Sequence, residues 1–148
     1  MPRIERTAET VWEGNLARGA GALSAGSGAF SGLGYSLPTR IGQPEGKTSP
    51  EELLAAAHGG CLTMSIAGEL SGSDTPPGRL DVTCKIVMDE VEGRGHVIVA
   101  SHCEIVATVD GLDDSSLQVH AAKADESCPF SDLLRRAGAE VTVSARLA

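Results

Sequence analysis

Four cysteines, Cys61, Cys84, Cys103 and Cys128, are the side chains of this 148-residue sequence best suited to chemistry. No two of them form a CxxC pair, the unit from which structural zinc ribbons are usually built. His58 and Cys61 make an HxxC pair, but no second ligand pair accompanies it, which leaves metal binding as a secondary alternative. A lone helical cysteine is by default a small buried hydrophobe. The company of Cys61 argues for more. Cys128 precedes Pro129 at a helix–proline junction, where a thiol is expected to be exposed and mobile. A reactive thiol with a resolving thiol elsewhere in the chain is the arrangement that peroxide chemistry requires.

The remaining candidates have plainer readings. Cys84 and Cys103 fall on strands and read as a packing pair of buried thiols, with a labile cross-strand disulfide as the alternative. His58 reads as a packed, hydrogen-bonded residue, with proton donation to a thiol as the alternative. Lys47, Arg79, Arg135 and Arg136 read as solvated charges, and Asp110, Asp113 and Asp114 as turn and N-cap residues.

These side chains need elements to hold them. Ser49-Pro50-Glu51-Glu52 is a strong helix start: a capping hydroxyl, a proline at the first position and two carboxylates on the positive end of the dipole. The run EELLAAAHGGCLTMSIAGEL continues it for about five turns, apolar or small on almost every face, as expected of a central helix. Gly59-Gly60 weakens that helix, so those positions are expected to serve close packing or a kink. Before it, 7–16 and 22–24 read as strands, 26–34 as a glycine-rich loop or bulged edge, and 35–40 as a short strand interrupted at Pro38. After it, SGSDTPPGR is a loop. Leu80, Val82, Cys84, Ile86 and Met88 then alternate with polar residues on a half-buried strand. With Gly93-Arg94 as the turn, a second strand over 97–109 places Met88 opposite Val99 and Cys84 opposite Cys103. A helix over 113–127 using Leu117, Val119, His120 and Ala121 as contacts, a helical turn over 131–136 and a strand over 140–147 complete the pattern. The order predicts one α+β domain spanning 1–148, with two helices packed on an antiparallel sheet.

Composition narrows the function. Twenty acidic against twelve basic side chains give a net charge of −8, which argues against nucleic acid as partner. No apolar run reads as long enough for a membrane span, and MPRIERTAET lacks the apolar core of a secretory signal, so a cytoplasmic, disulfide-poor setting is expected. Aromatic residues make up only 3% of the chain. A core built from small and aliphatic side chains buries little area per residue, and a partner chain would complete it.

The segment from Ser49 through Cys61 to Ser65 resembles the central-helix motif of the OsmC/Ohr family, the osmotically inducible and organic hydroperoxide resistance proteins. Val11-Trp12-Glu13-Gly14-Asn15-Leu16 and Ser127-Cys128-Pro129-Phe130-Ser131 agree with it, so that the likeness runs from about residue 8 to 147, nearer the OsmC branch. The resemblance implies antiparallel sheets around two central helices in an intertwined dimer, and a thiol peroxidase acting on organic hydroperoxides. It implies Cys61 as the peroxidatic cysteine, Cys128 as the resolving one, and Arg40 and Glu51 as the arginine–glutamate pair, with Arg18 the alternative arginine. No cofactor or metal is implied; the reductant would be an external dithiol such as a dihydrolipoyl protein. Leu62, Met64, Ile66 and Phe130 would give the site apolar surroundings. Other thiol chemistry, or binding of a small apolar ligand, are the rival readings on the same scaffold.

One inference is geometric. Ten helical residues separate Glu51 from Cys61 by roughly 15 Å of rise, too far for one arginine to serve both within a helix. Two copies of the helix packed antiparallel about a two-fold axis would bring Glu51 of one chain toward Cys61 of the other, giving a homodimer with two composite sites.

Overall fold

The computed structural model describes residues 2–148, which divide into two compact units, one ending at Pro50 and the other running from Glu51 to Ala148. The first unit is an antiparallel sheet in the order β1 (Ala8–Glu13), β2 (Ala20–Ala25) and β3 (Leu33–Tyr35), followed by a short helix α1 (Leu37–Ile41). Trp12 and Tyr35 both lie opposite Gly21 in the register, and their rings meet with centroids 5.6 Å apart. A Cβ on Gly21 would fall within 2.4 Å of the Tyr35 ring, so the missing side chain makes room for this aromatic pair.

The expected strand over 35–40 is corrected here. Only Tyr35 of these residues belongs to a strand, and after an extended Ser36 the chain turns helical at Leu37. Ser36 takes the N-cap, its hydroxyl accepting from the Thr39 backbone N–H, and Pro38 suits the first turn, where its missing N–H costs nothing.

The second unit is built on helix α2 (Pro50–Gly72), which starts at the proline as expected and runs unbroken for 23 residues. Around it lie β4 (Arg79–Val91), β5 (Gly95–Thr108), α3 (Asp114–Ser127), α4 (Pro129–Arg136) and β6 (Glu140–Leu147). The sheet order is β4-β5-β6. Leu62, Ile66 and Leu70 of α2 pack with Ile105, Ala107, Leu117, Ala121 and Ala124 into the core. By length and composition α2 is apolar enough to cross a membrane, contrary to the sequence reading, yet Leu62, Ile66 and Leu70 are fully buried in this core.

Three further expectations change. β6 pairs with β5 in parallel, so the second sheet is mixed rather than antiparallel. Helices α3 and α4 form the crossover that a parallel pair demands. Met88 lies opposite Ile98 instead of Val99, because the hairpin loop holds three residues, with Val91 opposite Gly95. A bulge at Val87/Met88 then leaves Val99 as the extra residue and restores the expected pairing of Cys84 with Cys103. Finally, Val119 is exposed; Leu117, Ala121 and Ala124 form the buried stripe of α3.

Side chains tie α3 to the sheet. Gln118 donates to the Val143 carbonyl and accepts from the Ala145 N–H, satisfying the outer edge of β6. Asp114 accepts from the Leu147 N–H at 2.6 Å. Asp113 caps α3 through the Ser116 N–H at 2.7 Å, as the sequence predicts.

Candidate thiol active site

Helix α2 carries Cys61 at its middle, half-buried against the core formed with Cys128 and Phe130. Cys128 sits between α3 and α4 in an extended conformation (φ −76°, ψ 114°), as a residue preceding proline prefers. Its side chain is fully buried, which corrects the expectation of an exposed, mobile thiol. The junction is clamped from both sides. Asp125 of α3 pairs with Arg135 of α4 across it, so Arg135 is not the free surface charge read from the sequence. Arg136 and Arg79 are exposed but ion-paired, with Asp132 and Asp81.

Cys61 packs against the same core cluster that holds Cys128, near enough for Cys128 to influence the ionisation of the Cys61 thiol. Burial first, then the interaction with the neighbouring Cys128 thiol, push the Cys61 thiol up from its ordinary range. The Phe130 backbone N–H, aimed at the Cys61 sulfur, pulls the other way. Of the expected apolar neighbours, Leu62 and Ile66 point into the core, whereas Phe130 is half-buried beside Cys61 and Met64 is 77% exposed.

The other two expected site residues lie elsewhere on the backbone. Glu51 is in the first turn of α2, ten positions from Cys61 on an unbroken helix. Arg40 is in the last turn of α1, in the first unit, and Arg18 lies in the turn between β1 and β2, its backbone N–H donating to Asn15.

A second thiol cluster is more fully assembled than the sequence suggests. His58 is fully buried, with Nδ1 2.7 Å from Ser101 Oγ and Nε2 2.8 Å from Ser131 Oγ. Its packed, hydrogen-bonded reading therefore holds, but its thiol neighbours are Cys84 and Cys103 on the sheet. Their sulfurs are both unoxidised and 3.2 Å apart, and they lie 3.6 and 3.8 Å from His58 Nδ1. The Cys103 thiol donates to the Cys84 sulfur, and this hydrogen bond, with help from His58 and Ser101, holds Cys84 well below the usual thiol range. The same contact, together with burial, pushes Cys103 up. Gly59 permits the approach of helix to strand, since a Cβ there would stand 3.3 Å from the Cβ of Cys84.

Sequence reasoning missed both serines. Ser101 shares the inward parity of Cys103 on β5, and a polar residue at a core-facing position needs a buried partner. Replacing His58 by alanine leaves both hydroxyls without their partner and opens a cavity. The expected cost is roughly 2–4 kcal/mol, read as a lower denaturant midpoint with an unchanged slope in metal-free buffer.

The family model for OsmC-like proteins matches residues 42–144. The chain is 32% identical over 144 residues to the peroxiredoxin OsmC of Escherichia coli, covering 97% of each. It is 26% identical over 102 residues to an organic hydroperoxide resistance protein of Xanthomonas axonopodis, covering 68% of this chain and 69% of that one. Among solved structures, an organic hydroperoxide resistance protein OsmC from Legionella pneumophila superposes with a TM-score of 0.73 at 22% identity, over 97% of this chain and 99% of that one. With the central-helix cysteine and the Cys-Pro junction both inside the matched region, the chain belongs to the OsmC/Ohr family.

Proposed function

We propose that the protein is a cysteine-based peroxidase that reduces organic hydroperoxides to alcohols, using Cys61 as the attacking thiol and Cys128 as the resolving one. The observation that carries this reading is the packing of a half-buried thiol on α2 against the same core cluster as a fully buried thiol at the α3–α4 junction. The names of the relatives, a peroxiredoxin and organic hydroperoxide resistance proteins, point to the same chemistry.

The thiolate of Cys61 attacks one peroxide oxygen. The O–O bond breaks, the alkoxide takes a proton and leaves as alcohol, and Cys61 becomes a sulfenic acid. Cys128 then condenses with the sulfenic acid, forming the disulfide and releasing water. An external dithiol, such as a dihydrolipoyl protein, returns both thiols and is itself oxidised. The reducing cytoplasm supplies such a reductant. None of these steps calls for a cofactor.

Cys61 must lose its proton against its surroundings, and a guanidinium beside the sulfur reverses that balance. Arg40 is the residue we assign to this task, oriented by the paired hydrogen bonds its guanidinium would donate to Glu51. The sign of two shifts follows. Alkylation of Cys61 rises with pH as the thiolate forms; Arg40→Ala moves that profile to higher pH, and Cys128→Ser moves it lower by removing a second ionisable thiol. An unchanged profile in Arg40→Ala passes the role to Arg18.

The exposed face of α2 bears on assembly. Ala57, Gly60, Met64 and Gly68 form an exposed stripe opposite the buried Leu62 and Ile66, and Cys61 lies at its edge. Only 28% of the most apolar stretch of α2 is buried within the chain. A second copy packed on this stripe would cover it, and small side chains permit close approach of two helices. We assign the stripe to a two-fold interface that closes two composite sites and brings Glu51 of one chain toward Cys61 of the other.

The test is consumption of cumene hydroperoxide with dihydrolipoamide as reductant. Turnover by the wild type and a sulfenic acid trapped on Cys61 in Cys128→Ser support the reading. A wild type that shows neither turnover nor sulfenate overturns it in favour of ligand binding.

A further inference from the structure

The cluster at His58, Cys84 and Cys103 takes no part in the chemistry proposed above. Its three donor atoms, Nδ1 and two Sγ, lie within 4.8 Å of one another. They come from three elements that are rigid for independent reasons. His58 is on the buried face of α2, and Cys84 and Cys103 are directly opposed on β4 and β5. An antiparallel pair in this register needs no CxxC motif to bring two sulfurs together, because the sheet supplies the proximity.

The spacing fits a tetrahedral metal ion. With metal–sulfur bonds of about 2.3 Å and a metal–nitrogen bond of about 2.0–2.1 Å, a tetrahedral centre sets sulfur and nitrogen about 3.5 Å apart and the two sulfurs about 3.8 Å apart. The observed nitrogen–sulfur separations are 3.6 and 3.8 Å. The sulfurs, at 3.2 Å, need to part by roughly half an ångström, within reach of small χ1 adjustments.

The surroundings supply what a metal-bound histidine requires. A ligating imidazole donates its other ring N–H to a fixed acceptor, which sets the tautomer and aims the lone pair. Ser131 Oγ, fully buried and 2.8 Å from Nε2, is such an acceptor and leaves the Nδ1 lone pair facing the sulfurs. Ser101 Oγ bonds Nδ1 in the absence of metal and also lies 3.3 Å from Cys84 Sγ. Its hydroxyl turns to that sulfur when Nδ1 is taken.

Access is provided from the Cys84 side. Cys103 is buried, but Cys84 is half-buried and lines an open groove of about 640 Å³ between α2 and β4, bordered by Ala56, Gly59, Gly60, Thr63 and Val82. The groove provides an entry path and leaves room for a fourth ligand. Two thiolates and an imidazole are a soft-to-borderline donor set, suited to zinc or monovalent copper and poorly suited to magnesium or calcium.

We propose that His58, Cys84 and Cys103 form a binding site for one thiophilic d¹⁰ cation per chain, zinc in the first instance, with its fourth position open to the groove. Binding releases the remaining thiol protons to solvent and leaves two thiolates balancing the dipositive charge. The site is independent of the Cys61–Cys128 chemistry, so either reading stands if the other fails.

Cobalt(II), the coloured stand-in for zinc, tests this on the full chain, kept reduced and stripped with a chelator. The expected result is a thiolate-to-cobalt charge-transfer band in the near ultraviolet that saturates at one ion per chain and is bleached by zinc. A Cys61→Ser/Cys128→Ser double variant, which retains only the two sheet thiols, keeps the band. Cys84→Ser, at a half-exposed position, weakens binding by about 100-fold or more, and Cys103→Ala, checked for folding by its thermal transition, does the same. No band in the reduced wild type, or a band that survives in Cys84→Ser and disappears in the double variant, overturns the assignment.

Discussion

Cys61→Ser is expected to bring hydroperoxide turnover down to the uncatalysed background, a loss of three orders of magnitude or more. A serine hydroxyl retains the shape of the thiol but not its acidity, so at neutral pH there is no anion to attack the O–O bond. The second thiol cannot take over, because Cys128 is fully buried at the junction clamped by Asp125 and Arg135. Cys128→Ser is expected to behave differently. Its first turnover proceeds at a rate near that of the wild type, and the enzyme then stops with Cys61 as a sulfenic acid, or over-oxidises when peroxide is in excess. Stopped-flow peroxide consumption and intact mass separate the two. A Cys61→Ser variant that retains more than a few per cent of activity removes Cys61 from the attacking role.

The second large effect concerns assembly. Ala57→Glu is expected to convert the proposed dimer into monomers while leaving helix content unchanged. Ala57 is exposed and lies close to the midpoint between Glu51 and Cys61. In an antiparallel pairing that juxtaposes those two residues across chains, position 57 of each copy approaches the two-fold axis. A carboxylate there buries two like charges together, which costs several kcal/mol and weakens association by at least about 100-fold. Sedimentation or light scattering reads the mass, and turnover should fall with it in the composite-site arrangement proposed above. A monomeric wild type with full activity contradicts the composite site, and a variant that stays dimeric moves the interface away from this stripe.

The central helix was legible because several signals agreed at its start: a capping serine, a proline at the first position and two carboxylates in the first turn. The pairing of Cys84 with Cys103 was legible for a less secure reason. The hairpin loop is one residue longer than assumed, and the bulge at Val87/Met88 offsets the difference, so the register is displaced near the turn and correct at the cysteines. Alternation of inward and outward residues located β6 to the residue, but an alternating pattern reads the same in a parallel and an antiparallel partner; only the helical crossover between β5 and β6 held the direction. At 35–40, Pro38 suggested an interrupted strand, whereas the Ser36 cap and Thr39 make a helical turn. Of the site, the thiols themselves could be picked out. The depth of Cys128 could not, since it depends on an ion pair ten residues apart across a proline. Nor could the gathering of His58 with Cys84 and Cys103, which joins a helix position to two strand positions and leaves no local spacing to read.

The parallel pairing of β6 also sets an order of events in folding. Antiparallel β4 and β5 close through a short hairpin, a local contact that forms early. β6 adds beside β5 only after α3 and α4 have been laid down, because its partner lies on the far side of both. Cys128 rides on that late connection. During synthesis and refolding, the thiol of α2 therefore exists for a time without its buried counterpart, while the two sheet cysteines are already side by side. Oxidant met in that interval finds Cys84 and Cys103 side by side and Cys61 without Cys128, so refolding under reducing conditions is expected to recover more native protein with its four thiols free than refolding in air.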